Sequence, residues 1–201
     1  GYRVKAWTGT DNDSPPDPNT TFITMIADAN VTVEFEAIPL YRLRTEVIGG
    51  HGLIAPHHKR GEYYREGTVV KLIATPDLTY IVDLWSGTDD DTSWANTNTV
   101  TIDSDKEVTV LFRRPKSLHV PGQYQTIGAA IDAAHTHGDK VIVSPGSYFG
   151  SFDFQGKAIT ISSEHPDDPC TVAATVINTF GAPAFIFQSG EGHDSVVDGF
   201  T

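Results

Sequence analysis

The apolar positions between Gln125 and Ser163 change period partway along. Ile127, Ala130, Ile131 and Ala134 recur at helical spacing, which predicts a helix of about three turns. Thr126 is placed to cap its start and Gly138 to stop it. His135 and His137 fall in the expected last turn, where a cation suits the helix dipole. From Lys140 onward the pattern is one of short strands: "KVIVSPGSY", "GSFDF", "KAITISS", "TVIN", "AFIFQS" and "SVVDGF". Each run is β-branched or aromatic and is broken by Gly, Pro, Asn or Asp. No Asn-Gly hairpin signal joins them, and no further helix is expected. Such strands are buried by coiling, each stacked in parallel on its equivalent below. A helix laid across the first coil would cover its open apolar end.

Upstream the period is two. "YRLRTEVIG", "TVVKLIATP", "TYIVDLW" and "VTVLF" alternate between Gly, Pro and Asp clusters, the signature of half-buried antiparallel strands. This stretch is also written twice. Tyr2 aligns with Tyr80, Trp7 with Trp85, Gly9 with Gly87 and Asp11 with Asp89, an offset of 78. After a one-residue length difference, Thr24 aligns with Thr101, Asp28 with Asp105, Val33 with Val110 and Phe35 with Phe112, an offset of 77. Residues 1–38 therefore read as the second half of one module, and residues 39–115 as a complete copy. Trp85 and Phe112, with Trp7 and Phe35, are the expected core aromatics. "RRPKSLHVPGQYQ", rich in basic residues and Pro, is the expected seam. Residues 116–201 form the third segment, the helix and stacked coils.

Composition narrows the partners. The net charge of −12 disfavours nucleic acid and anionic membranes, which need basic patches. No apolar run reaches the ~20 residues of a membrane helix. The single Cys170 excludes an internal disulfide. The chain starts at Gly1 inside a repeat and stops on a strand, so it is expected to be a piece of a longer protein. A missing targeting signal then carries no meaning.

"GGHGLIAPHHKRGEYYREGTVVKLIATPDLTYIVDLWSGTDDD…VTIDSDKEVTVLF" resembles the divergent InlB B-repeat family of bacterial surface proteins. Leu78-Thr79 departs from the Gly that commonly precedes the Tyr there, whereas Gly1-Tyr2 keeps it. The resemblance implies small extracellular β modules used as spacers or in adhesion, with no catalytic residues. Tyr63 matches the family's "G-x-Y" and is expected in the core. "YQTIGAAIDAAHTHGDKVIVSPGSYFG" and the strands after it resemble the opening of a right-handed parallel β-helix of the pectin-lyase-like superfamily. That implies a scaffold shared by enzymes and non-enzymes.

The fold class expected is thus mainly β: tandem repeat modules, then a parallel β-helix with a short capping helix. Candidate chemistry is sparse. The acidic loops "GTDND" (Asp11, Asp13) and "GTDDD" (Asp89, Asp90, Asp91) recur at one place in both copies. Clustered carboxylates of this kind could hold Ca²⁺, although the loops lack the Gly and closing Glu of an EF-hand; a solvated loop is the plainer alternative. Trp94, without a counterpart in the first copy, is a candidate for stacking on sugar rings. Asp153, Asp194 and Asp198 lie in or beside the later strands and match no catalytic motif. His57-His58 and His135-x-His137 lack further ligands at zinc spacing. The expectation is a secreted or cell-surface scaffold binding polysaccharide or another surface ligand. The alternative is a polysaccharide lyase, esterase or hydrolase whose site lies beyond Thr201.

Overall fold

The computed structural model describes residues 1–58 and 61–201; the repeat motif also runs through Lys59 and Arg60, outside the described residues. The molecule is mainly β. Residues 1–38 supply β1 (Tyr2–Thr8) and β2 (Thr32–Ala37), an antiparallel pair with a register shift between Val4 and Ala6. The second copy supplies β3 (Leu40–Ile48), β4 (Gly52–Ala55), β5 (Glu62–Arg65), β6 (Val69–Pro76), β7 (Ile81–Ser86), β8 (Thr97–Thr101) and β9 (Lys106–Arg113). They form two sheets, ordered β5-β3-β9-β7 and β4-β6-β8. On β6 the alternation delivers Val70, Leu72 and Ala74 to the interior, as the period predicts.

The remainder supplies β10 (Ser117–Val120), α1 (Ile127–Ala133), β11 (His137–Val143), β12 (Gly146–Phe149), β13 (Phe152–Asp153) and β14 (Ala158–Ser163). It continues with α2 (Pro169–Ala174), β15 (Thr175–Asn178), β16 (Phe185–Ile186) and β17 (Val196–Asp198). Here the pairing is parallel, in three ladders: β10-β11-β14-β17, β12-β15 and β13-β16. Leu118, Val141 and Ile161 stand in register along the first ladder. They are buried with Ile127, Ala130 and Ile131 of α1 and with Phe152 and Phe154. A seven-residue helix of this composition is marginal alone, so this packing holds it.

The chain divides into two compact units. One comprises Gly1–Ile48, Ile54–Ala74 and Trp85–Val110; the other comprises Gly49–Leu53, Thr75–Leu84 and Leu111–Thr201. In the first, Leu43, Leu72, Trp85, Val100, Ile102, Val108 and Val110 are buried. In the second, a buried polar cluster joins β7 residues to β11. Asp139 accepts from Arg113 Nη1 at 2.7 Å, Lys116 N at 2.9 Å and His135 N at 2.9 Å. Arg113 Nε lies 2.9 Å from Asp83 Oδ1, and its Nη2 donates to the His137 carbonyl. His137 Nε2 is 2.8 Å from the Val82 carbonyl oxygen.

Several expectations are corrected. The helix stops at Ala134, before either histidine, and Thr126 alone of its expected markers holds its place, accepting from Ala129 N. Gly138 sits inside β11 at φ +75°, not at a helix stop. The cation at the end of α1 is Lys157 from the following strand region, whose Nζ donates to the carbonyls of Ile131, Asp132 and Ala134. The seam is not all linker: it contains β10, the first strand of the parallel ladder. A second helix, α2, occurs where none was expected. Asp168 caps it by accepting from Cys170 N and Thr171 N, and Pro169 fits its first position. Tyr63 is exposed rather than core; its neighbour Tyr64 is partly buried and bonds His58 Nε2 at 2.7 Å. Phe35 is exposed although Phe112 is buried.

Candidate functional site

The acidic loops follow β1 and β7, and each begins at a glycine that no other residue replaces without strain. Gly9 and Gly87 have φ of +82° and +79°. A Cβ at either would lie 2.2 Å from a backbone carbonyl oxygen, of Asn30 or of Glu107. The chain turns there at contact distance from the neighbouring strand region, which fixes where the carboxylates point.

Asp13 and Asp91 point at their own loops, Asp11 and Asp89 at the segment that returns beside them. Asp13 Oδ1 accepts from Thr10 N at 2.9 Å and Thr10 Oγ1 at 2.8 Å; Asp91 Oδ1 accepts from Thr88 N at 2.8 Å and Thr88 Oγ1 at 2.7 Å. Asp11 Oδ2 accepts from Thr24 Oγ1 at 2.6 Å, and Asp89 accepts from Thr99 Oγ1, Thr101 Oγ1 and Thr101 N at 2.7, 3.1 and 2.8 Å. Asn12 and Asp90 close matching turns on Ser14 N and Thr92 N. Even the indole donors correspond, Trp7 Nε1 to the Pro18 carbonyl and Trp85 Nε1 to the Ala95 carbonyl, both at 2.9 Å. At one position the side chain changes and the bonds survive. Thr21 Oγ1 reaches the Asn12 carbonyl and Thr10 Oγ1; in the second copy Asn98 Nδ2 reaches the Asp90 carbonyl and Thr88 Oγ1.

These donors set the electrostatics. For Asp89, burial raises the carboxyl pKa, but the bonds from Thr99 and Thr101 outweigh it and the net shift is downward. Asp91 shows the same balance, with Thr88 and Gly87 as donors. Asp11 is lowered by Thr24, and Asp13 by Thr10. The carboxylates are held ionised by N–H and O–H donors, and their lone pairs are directed at these rather than at a shared point. Among the described residues no group of three or more His, Cys, Asp or Glu comes together as a metal site.

A shallow hollow beside Asp90 is lined by Val69, Lys71, Ser93, Thr97, Asn98 and Thr99. Trp94 is not part of it. It stands between β7 and β8, 43% exposed. Of the later carboxylates, Asp153 accepts from Gln155 N and Gln188 Nε2, Asp194 lies 3.2 Å from His193 Nε2, and Asp198 is exposed on β17. The threonines are the residues that reading the acidic loops alone overlooks. Thr10 and Thr88, and Thr24 and Thr101, occupy equivalent positions, and that repetition was the available signal.

The family model described as the divergent InlB B-repeat domain matches residues 1–39 and 44–116. No curated protein and no solved structure gives a significant match to the chain.

Proposed function

The chain belongs to the divergent InlB B-repeat domain family, and from that premise we propose that it serves as a structural part of a bacterial surface protein. The repeat modules act as a stalk. The parallel-strand segment after residue 116 is the start of a right-handed β-helix that presents an extended surface to polysaccharide or another cell-surface ligand. The acidic loops are clasps that shape each module, and Trp94 is a contact for a sugar ring. The observation that carries the stalk reading is the duplication itself: around the acidic loop the second copy repeats the first copy's threonine, carbonyl and indole bonds at equivalent positions. The β-helix reading is supported by the three parallel ladders and by α1 packed against their apolar interior.

Proteolytic shaving of intact cells tests the location. The native protein should be cut at the surface without lysis; cleavage seen only after lysis would overturn the reading. A glycan array probed with these residues tests the ligand class. Binding that falls on Trp94→Ala is expected, and an array without signal would remove the polysaccharide part. Turnover of pectin by these residues would overturn the scaffold reading in favour of an enzyme.

A further inference from the structure

Among the described residues, β8 is the outer strand of the β4-β6-β8 sheet and pairs with β6. The bonds between them run through every second residue: Ala74 N donates to the Asn96 carbonyl, and Ile102 N to the Thr68 carbonyl. Asn98 and Val100 therefore turn their backbone groups toward β6. Thr97, Thr99 and Thr101 turn theirs outward, along the edge of the sheet. Such an edge takes an added strand unless something blocks it. β8 carries no protection in its own side chains: Thr97-Asn98-Thr99-Val100-Thr101 has no charge and no Pro, and four of its five residues are β-branched. The opposite edge, β4, is only four residues long and runs into Pro56.

The block comes from the acidic loop. Asp89 N donates to the Thr99 carbonyl at 2.8 Å, and Asp89 Oδ1 accepts from Thr101 N at 2.8 Å. A parallel strand laid on this edge would set one residue's N–H and C=O on those same two groups. Asp89 stands in for that residue, with its carboxylate in place of the carbonyl. The Thr99 and Thr101 hydroxyls donate to Asp89 Oδ2 and hold the carboxylate across the edge. The outward Thr99 N–H, between them, is taken by Asn98 Oδ1 at 2.8 Å. In the first copy Asp11 N likewise donates to the Phe22 carbonyl at 3.0 Å, and the Thr24 hydroxyl to Asp11 Oδ2. Residues 20–24 form no strand, so the loop makes this contact without help from sheet pairing.

We propose that Asp89 is a plug, and that the edge it covers is a latent interface for β8 of a second copy of this chain. The counterpart strand fits because it is uncharged and self-complementary. A two-fold axis sets β8 antiparallel to its copy, and each outward threonine can then donate and accept across the axis. Repeated modules bring like edges to high local concentration, and the plug keeps them from joining. The inference rests on bonds within the module and not on surface location, so failure of the cell-shaving experiment leaves it standing.

Sedimentation and amide exchange on the whole chain test it, each variant being read against the parent. Asp89→Ala should associate at a concentration about tenfold or more below that of the parent. In the associated form the Thr101 amide should exchange about tenfold or more slower than in the dilute variant. Thr101→Pro added to Asp89→Ala removes the outward donor without touching the bonds to β6, and should restore the association of the parent. Thr99→Val with Thr101→Val keeps both backbone bonds to Asp89 and loses only the hydroxyls. It should melt earlier yet associate as the parent does, which separates unplugging from mere destabilisation. If circular dichroism shows that Asp89→Ala does not fold, Asp89→Glu replaces it. The longer side chain moves the carboxylate off Thr101 N, and association should again rise. Parent-like association of the folded variant, or association that Thr101→Pro leaves in place, would overturn the inference.

Discussion

The hairpin of residues 1–38 and its counterpart in residues 80–115 share their turn, the threonine hydroxyl bonds to their carboxylates and their indole bond, yet one carries a buried core and the other does not. Trp85 is fully buried, whereas Trp7 is half-buried. β8 pairs with β6 through Val69↔Thr101 to Ile73↔Thr97, while the equivalent of β8, residues 20–24, forms no strand. Local side-chain bonds are therefore written into each copy. Burial and sheet membership come from the strands that sit beside it. The largest expected effect follows. Trp85→Ala should lower stability by about 3–5 kcal/mol, through lost transfer energy and a cavity. Trp7→Ala should open β1–β2 locally and leave the main urea midpoint unchanged. Equal shifts of the main transition would contradict this division.

A second contrast separates two ion pairs. Arg3 pairs with Glu66 and Glu36 with all partners partly exposed, whereas Arg113 reaches a fully buried Asp139. Burial raises the Asp139 carboxyl pKa, but donors from Lys116, His135 and Arg113 prevail and lower it. Asp139→Ala takes one of two carboxylates from Arg113 and leaves Lys116 N and His135 N without their acceptor, and should cost about 3–5 kcal/mol. Glu66→Ala should move the melting temperature by less than about 1 °C, because exposed pairs contribute little. Calorimetry on the two variants decides it. If Asp139→Ala melts like the parent, the buried cluster joining β7 to β11 is not a structural tie.

The strand alternation, the duplication and the Thr126 N-cap of α1 were legible because each depends on spacing within a short window. What was not legible depended on distant partners. His137 could be placed at a helix end from its neighbours, but a bond to the Val82 carbonyl holds it at the start of β11. Lys157 could not be matched to α1 from sequence, since its three carbonyl acceptors lie more than twenty residues earlier. β10 hid in a Pro-rich seam because four residues show little period on their own. Tyr63 and Tyr64 are adjacent, and strand alternation sends one in and one out; the motif alone assigned the wrong one. The acidic loops were found, but their threonine donors give them a structural role as well sustained by geometry as any ligand.

Smaller effects test the clasps. Asp91→Ala removes the acceptor of Thr88 N, Thr88 Oγ1 and Gly87 N. It should lower the melting temperature by about 2–4 °C, while Asp13→Ala, in the uncovered copy, should leave the main transition in place. A larger loss for Asp13→Ala would mean that the first hairpin contributes to global stability.

The smallest expected effect concerns pH and calcium. Asp11, Asp13, Asp89 and Asp91 are all lowered by their hydrogen-bond donors. A carboxyl whose folded pKa lies below its unfolded value of about 3.9 contributes stability above that value, and the contribution disappears as pH falls through the folded pKa. Melting temperature should therefore be flat from about pH 5 to 8 and decline below about pH 4. A divalent cation at these loops would have to displace the Thr88 and Thr101 donors from Asp91 and Asp89. With those bonds intact, millimolar Ca²⁺ should shift the melting temperature at neutral pH by less than about 1 °C. A rise of several degrees with Ca²⁺, reversed by a chelator and lost in Asp89→Asn, would show that the loops trade their threonines for a metal. The clasp would then be only the empty form of the site.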